Sequence, residues 1–132
     1  MTPTMFTKLI VKDEEAQAAY YGAVYGLNPV YRAEGTSDGE PYREVILSPG
    51  DGMAAGSLVM FNFTQRTGAR DQQVILGFVT EDIDALVGRI EANGGKLVGP
   101  VRDEPEHGVR VVFATDPEGA LTENVQMLAQ TA

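Results

Sequence analysis

The stretch TDPEGALTENVQMLAQ, Thr115–Gln130, decides how the chain is understood. It begins with DPEG, a combination of Pro and Gly that is typical of a tight turn. Apolar and other residues then alternate, which predicts a β-strand over ALTENVQML. Glu123 lies in this strand between Leu121 and Val125, so alternation places a carboxylate on a face that also carries apolar side chains.

The same stretch closes the second of two similar segments. Ahead of it, EDIDALVGRIEANGG predicts a helix with an apolar stripe that ends at the turn residues Asn93, Gly94 and Gly95. The stripe consists of Ile83, Leu86, Val87 and Ile90. The strands predicted around this helix are QQVILGFVT, KLVGPV, VRVVFATD and ALTENVQML.

The first segment has the same order. FTKLIVKD predicts a strand, and Asp13 is placed to cap a helix over EEAQAAYYGAVYGL that Gly26 terminates. PVYRAE, PYREVILSP and SLVMFNF predict three further strands, the first two divided by the turn-rich GTSDGE. Gly26 and Gly94 mark the two helix ends, and Val30 and Val98 keep the same spacing.

These patterns predict an α+β fold with two tandem βαβββ units in a single domain, residues 1–132. The units cover about residues 4–64 and 72–130, and the polar segment 64–72 links them. One unit alone buries little surface and would be only marginally stable, so we expect the two units to form one curved, cup-like mixed sheet with the helices outside. The paired units come from one chain, or are swapped between two chains in a homodimer.

Composition excludes several classes of function. The chain has 132 residues and no cysteine, which rules out disulfide scaffolds and thiolate metal sites. No apolar run approaches the roughly 20 residues that span a bilayer, and no secretory signal is readable, so we expect a soluble, cytoplasmic protein without a membrane partner. The formal net charge of −9 offers no basic face for nucleic acid; it favours solubility, and the alternative interpretation is a preference for cationic ligands.

The order and spacing of these motifs resemble the vicinal oxygen chelate superfamily, which includes glyoxalases, bleomycin-resistance proteins and extradiol dioxygenases. The resemblance rests on the tyrosine pair in the first helix, on VYGLNPV, which follows it, on EANGGKLV, and on DPEGALTENVQ. It covers nearly the whole chain. It implies two βαβββ units and a ligand site in the cup, but it is less specific for the reaction.

In metal-dependent members, the first and last strands of each unit provide the metal ligands, usually His and Glu. When the family's motifs are matched to this sequence, these positions correspond to Phe6, Met60, Ile75 and Glu123. A shift of one residue would bring in Thr7, Val59, Phe61 or Val74, none of which is a usual ligand. With one histidine in the chain, we expect no cofactor. Loop acids such as Asp103, Glu104 and Glu106 leave a carboxylate-only divalent metal site open.

Glu123 is the candidate catalytic residue, because a carboxyl among apolar neighbours can serve as a general acid or base. Its strand's other face, with Thr122, Asn124 and Gln126, is expected to be the wetter one. The candidate ligand-binding residues are Phe6, Tyr42, Met60, Phe61, Ile75, His107 and Arg110. An apolar set of this kind suits a hydrophobic ligand.

Four functions follow from these residues. The first is a bleomycin-resistance-like protein that binds a small, largely hydrophobic organic molecule without metal. The second is a metal-independent isomerase, lyase or hydrolase that uses Glu123 as acid or base. The third is a metal-dependent lyase or dioxygenase, and the fourth is a structural role. Whether the protein is an enzyme stays open from sequence alone.

Overall fold

The computed structural model of the protein describes residues 5–66 and 72–129. The chain divides into two compact units, Met1–Arg70 and Asp71–Ala132. The described part of each unit contains one four-stranded mixed sheet and one α-helix, which is the predicted α+β fold of two βαβββ units. The predicted linker 64–72 lies mostly outside the described residues.

The first unit follows the predicted element order. Its elements are β1 (Thr7–Ile10), α1 (Glu14–Tyr25), β2 (Asn28–Ser37), β3 (Glu40–Ser48) and β4 (Leu58–Phe63). The strands lie in the order β1-β4-β3-β2, with β1 parallel to β4 and the other pairs antiparallel. Asp13 caps α1, since its carboxylate accepts a hydrogen bond from the N–H of Ala16 at 3.0 Å. Gly26 ends the helix in the left-handed conformation, with φ 72°.

The hairpin between β2 and β3 is tighter than the sequence indicates. GTSDGE was expected to form a turn, but β2 continues to Ser37 and only Asp38 and Gly39 lie outside the strands. Both adopt positive φ, at 50° and 79°. An Asp-Gly pair with this geometry closes a two-residue hairpin whose twist matches that of the strands, so the residues on either side stay paired.

The second unit repeats the first. Its elements are β5 (Leu76–Val79), α2 (Ile83–Ala92), β6 (Lys96–Glu104), a 3₁₀ turn (Pro105–His107), β7 (Val109–Thr115) and β8 (Leu121–Met127). The strand order is β5-β8-β7-β6, with β5 parallel to β8. Asp82 caps α2 by accepting from the N–H of Ala85 at 3.1 Å. Neither helix in residues 5–66 and 72–129 has the length and apolar content that crossing a bilayer requires.

Each helix packs on one face of its own sheet. In the first unit, the Nδ2 of Asn62 on β4 donates to Oε1 of Glu14 at 2.9 Å, which places Asn62 beneath α1. In the second unit, the Oε1 of Gln126 on β8 accepts from the backbone N–H of Ile83 at 2.8 Å, at the start of α2. We call the face of each sheet that lies away from its own helix the distal face.

The polar side of β8 is buried, contrary to expectation. Thr122 and Asn124 are 1% and 0% exposed and share the helix face with Gln126. Burial is tolerated because their side chains are hydrogen bonded: Thr122 donates to the Ala114 carbonyl, and Asn124 donates to the Val112 carbonyl and to the Thr122 hydroxyl. The three residues therefore support the core beneath α2.

Candidate functional site

Glu123 lies half-buried on the distal face of the second unit. It is in register with Phe113 on β7 and with Gly77 on β5, and Phe113 is in turn paired with Val98 on β6. These four residues form one row across the sheet. Alternation along β8 thus correctly predicts that Glu123 shares a face with Leu121.

An open hollow lies at one end of this row. Its volume is about 400 Å³. It is lined by Val98, Gly99, Pro100, Arg102, Phe113 and Leu121. Five of these residues are apolar, and Arg102 provides the charge. Sequence reasoning missed the hollow, although the Gly-Pro pair inside a predicted strand was a signal of a bulge.

A β-bulge shapes the hollow. The pairing of β6 with β7 shifts register between Val98 and Arg102, and Gly99 within the bulge has φ 81°. A bulge bends its strand and re-aims the side chains that follow it. As a result Arg102 pairs with Val111 and lies on the distal face, one row from Phe113.

Gln72 fixes the strand that carries Glu123. Its Oε1 accepts from the backbone N–H of Leu121 and its Nε2 donates to the carbonyl of the same residue, each at 2.7 Å. The side-chain amide thereby imitates a strand partner at the first residue of β8. Leu121, which lines the hollow, is held from both backbone groups.

The first unit places Val59, rather than Met60, in the position equivalent to Glu123. Val59 pairs with Lys8, five residues before the helix cap Asp13, just as Glu123 pairs with Gly77, five residues before the cap Asp82. An alignment of β4 and β8 on their Gly-x-Leu motifs, which end at Leu58 and Leu121, pairs Glu123 with Met60 instead. The error is one residue, because Leu58 is paired with the residue six before its helix cap, whereas in β8 it is Thr122, one residue after Leu121, that is paired with the residue six before its cap.

Met60 therefore lies on the helix face. It is 0% exposed and pairs with Val45, another fully buried residue beneath α1. A one-residue shift moves a strand residue to the opposite face, so the predicted contact between Met60 and a ligand is corrected to core packing.

The residues at the positions that the resemblance assigns to the metal do not form the superfamily's usual ligand set. The four equivalent positions hold Phe6, Val59, Ile75 and Glu123, and only the last has an oxygen donor. Phe6 and Ile75 lie immediately before β1 and β5 and are half-exposed. Divalent ions of the usual kind require several convergent nitrogen or oxygen donors.

Another group of potential metal ligands lies around the 3₁₀ turn. Ligand atoms of Glu104, Glu106 and His107 all lie within 4.8 Å of one another. Glu106 and His107 are exposed, and exposed acidic groups approach one another commonly without an ion. His107 lies in this turn, away from the row that contains Glu123.

Arg110 is engaged on the helix face. Its Nε donates to Asp103 at 2.9 Å and its Nη1 to Asp84 of α2 at 3.3 Å. Hydrogen bonds to Asp84 and then Asp103 raise the pKa of Arg110. The guanidinium thus ties α2 to β6 rather than facing the same side as Glu123.

An aromatic cluster covers part of the distal face of the first unit. Tyr42 stacks on Phe61 with ring centroids 4.6 Å apart, and Phe63 meets Phe61 edge-on at 4.8 Å. Lys8 lies 4.4 Å from the Phe61 ring centroid and 3.4 Å from Glu44. The predicted pair Tyr42 and Phe61 is therefore brought together. Lys8 and Glu44 were missed, although alternation places them on this face.

Comparisons with known proteins identify the family and the fold. Residues 4–123 match the family model of the Glyoxalase/Bleomycin resistance protein/Dioxygenase superfamily. None of the curated proteins matches the chain significantly. Among solved structures, a glyoxalase family protein from Bacillus cereus is similar, with 20% identity, a TM-score of 0.81, and coverage of 98% of this chain and 97% of that chain.

Two further structures have the same fold. The trypanothione-dependent glyoxalase I of Leishmania major is 19% identical, with a TM-score of 0.72, over 96% of this chain and 87% of that chain. The fosfomycin resistance protein FosX of Listeria monocytogenes is 16% identical, with a TM-score of 0.68, over 96% of this chain and 93% of that chain. At these identities the similarity establishes the fold alone.

Proposed function

This chain belongs to the Glyoxalase/Bleomycin resistance protein/Dioxygenase superfamily, and from that premise we propose that it binds a small, largely hydrophobic organic molecule in the hollow of its second unit. The observation that carries the proposal is the apolar lining beside Glu123. Val98 and Phe113 belong to both the hollow and the Glu123 row. Concave, mainly apolar sites with few polar groups are the usual form of small-molecule sites.

The size of the hollow supports this proposal. At about 400 Å³ it falls at the small end of the range for ligand sites. Removing apolar surface from water is worth about 25 cal/mol for each Å². An aromatic ring system seated on Phe113 and Leu121 would therefore bind mainly through this hydrophobic contribution, with modest affinity because the hollow is partly open to solvent.

The residues at the superfamily's metal positions support a metal-free ligand site. Phe6, Val59 and Ile75 have hydrocarbon side chains at three of the four positions, so Glu123 provides the one side-chain oxygen among them. Elemental analysis of the purified protein, after incubation with Zn²⁺, Mn²⁺, Ni²⁺ or Fe²⁺ and desalting, should find no stoichiometric ion. A retained ion that is lost in Glu123→Gln would instead favour the metal-dependent lyase or dioxygenase.

Fluorescence titration with phenylnaphthylamine, a neutral aromatic probe, tests the binding proposal. Val98→Glu puts a charge into the lining at a residue that is already 52% exposed, so the fold should survive while probe binding falls. Val79→Glu is the matched control, because Val79 is 72% exposed on the same sheet and lies outside the hollow. Equal loss in both variants, or no binding by the unaltered protein, would contradict the proposal.

A second candidate function is metal-independent acid–base catalysis by Glu123. The observation that favours it is the position of a half-buried carboxylate in the same row as two lining residues of the hollow. Such a group could move a proton on an enolisable or hydroxylated ligand as an isomerase, lyase or hydrolase does. If turnover of any ligand is found, Glu123→Gln should abolish it while leaving probe binding intact; unchanged turnover would remove this candidate.

Cytoplasmic location and a homodimer complete the proposal. The acidic charge is consistent with a cytoplasmic small-molecule binder that has neither nucleic acid nor membrane as a partner. Sedimentation equilibrium would test the dimer: a mass near 14.2 kDa at all concentrations would contradict it.

A further inference from the structure

Arg102 is the charged group of the hollow, and its position indicates which ligands the hollow accepts. Its partners across the sheet place it on the distal face, in the row adjacent to Phe113. Its side chain is 56% exposed. A guanidinium at the wall of an apolar hollow presents several N–H donors to whatever the hollow holds.

The guanidinium is only loosely held by the protein. Arg102 lies 3.6 Å from Glu104, which is too long for a good hydrogen bond. By contrast, Arg32 and Arg110 each approach a carboxylate at 2.9 Å. The donors of Arg102 are therefore available to a ligand that brings a better acceptor than Glu104.

We infer that the ligand is an organic anion, with an aromatic or aliphatic body in the hollow and a carboxylate, sulfonate or phosphate-type group bound by Arg102. This inference rests on the proposed function and adds the charge of the ligand to it. The planar fork of arginine matches such groups with two parallel hydrogen bonds. The apolar lining beside it strengthens the interaction by excluding water from part of the contact.

The anion is recognised locally, against the overall charge of the chain. The formal net charge of −9 disfavours anions at long range. Arg102 also lies 3.6 Å from Glu104, which is not a lining residue, and this carboxylate competes with the ligand for the same donors. Removing the negative charge of Glu104 should consequently improve binding of an anion and leave a neutral ligand unaffected.

Two probes that differ in one group test the inference. Anilinonaphthalene sulfonate and phenylnaphthylamine share the same ring system, but only the first carries an anion. Folded protein, verified by its melting temperature, should bind the sulfonate more tightly. Arg102→Gln should weaken binding of the sulfonate by about ten-fold or more, as expected for the loss of a hydrogen bond to a charged group. The affinity for the neutral probe should change by less than about two-fold.

Three further variants sharpen the test. Arg102→Lys keeps the charge but loses the fork, so the sulfonate should bind with intermediate affinity. Glu104→Gln should bind the sulfonate several-fold more tightly. Arg32→Gln removes an arginine of similar exposure, 58%, from the other unit. This variant should bind both probes with unchanged affinity.

The possible results separate this inference from the proposed function. If the neutral probe binds and Arg102→Gln does not alter the sulfonate, the organic-anion inference is wrong and the hydrophobic site stands. If Arg32→Gln weakens the sulfonate as much as Arg102→Gln does, the effect is one of net charge and the inference is again wrong. If neither probe binds, the proposed function fails and the inference fails with it.

Discussion

Glu123 and Gly77 are partners in the parallel register of β8 and β5, so a carboxylate lies beside a residue that has no side chain. On the other side, Glu123 is paired with Phe113 of β7. A Cβ added at Gly77 would come no closer than 3.9 Å to any neighbouring atom, the nearest being the Glu123 carbonyl. The sheet thus leaves space next to the only oxygen donor among the superfamily's metal positions.

This space predicts that Gly77→Ala is stabilising. Gly77 lacks a positive φ, so alanine fits there without strain. Because alanine also restricts the unfolded chain, the free energy of unfolding should rise by about 0.4–1 kcal/mol. Gly99→Ala is the contrast. Gly99 has φ 81°, so alanine is strained there and the free energy of unfolding should fall by about 1–2 kcal/mol. Urea unfolding of both variants measures the two changes. Destabilisation by Gly77→Ala would show that the strand is more crowded there than the structure describes.

The contact between Gln126 and Ile83 predicts a second effect on stability. Gln126→Ala would leave the first N–H of α2 without its acceptor at 2.8 Å, at a cost of about 1–3 kcal/mol. Met127→Ala changes the neighbouring residue, whose side chain is largely exposed, and should have a much smaller effect. Comparable losses in the two variants would mean that the tether between β8 and α2 contributes little.

The buried carboxylate of Glu14 predicts a dependence of stability on pH. Burial alone would raise the pKa of Glu14, but hydrogen bonds from Asn62 and its own backbone N–H, together with Arg43, outweigh it and hold this pKa below its ordinary value of 4.5. A folded-state pKa below the unfolded one adds stability above about pH 4.5, and this is lost as the pH falls through the folded-state pKa.

Glu14→Gln should therefore be less stable than the unaltered protein at neutral pH, and the difference should shrink in acid. Glu15→Gln, which changes an exposed neighbour paired with Arg32, is the control and should show little change at either pH. Chemical unfolding across the acid range gives both curves. A gap between Glu14→Gln and the unaltered protein that stays constant with pH would contradict the assignment.

The sequence predicts the elements well because their ends depend on local chemistry. Asp13 caps a helix through its own side chain, and Gly26 ends that helix because it accepts positive φ. Each of these choices needs only a few neighbouring residues. The repeat of the two units could thus be predicted, together with the cap at Asp13, the helix ends and the order of the elements along the chain.

The faces of the strands are less predictable because they depend on pairing between distant segments. The register of β4 with β1 places Val59, not Met60, on the distal face, and a difference of one residue is invisible in the Gly-x-Leu pattern. The hollow depends on the bulge between Val98 and Arg102, which involves the partner strand β7. The pattern of apolar residues within one strand therefore predicts neither the register of β4 with β1 nor the bulge between β6 and β7.

Nuclear magnetic resonance of the nitrogen-labelled protein, titrated with phenylnaphthylamine, tests most directly whether the second unit binds an apolar molecule in its hollow. We predict progressive, saturable shifts of the amide signals of Val98, Gly99, Phe113 and Leu121, with little change at Val79. Shifts confined to other residues, or no saturable shifts at any residue, would contradict a ligand site in this hollow.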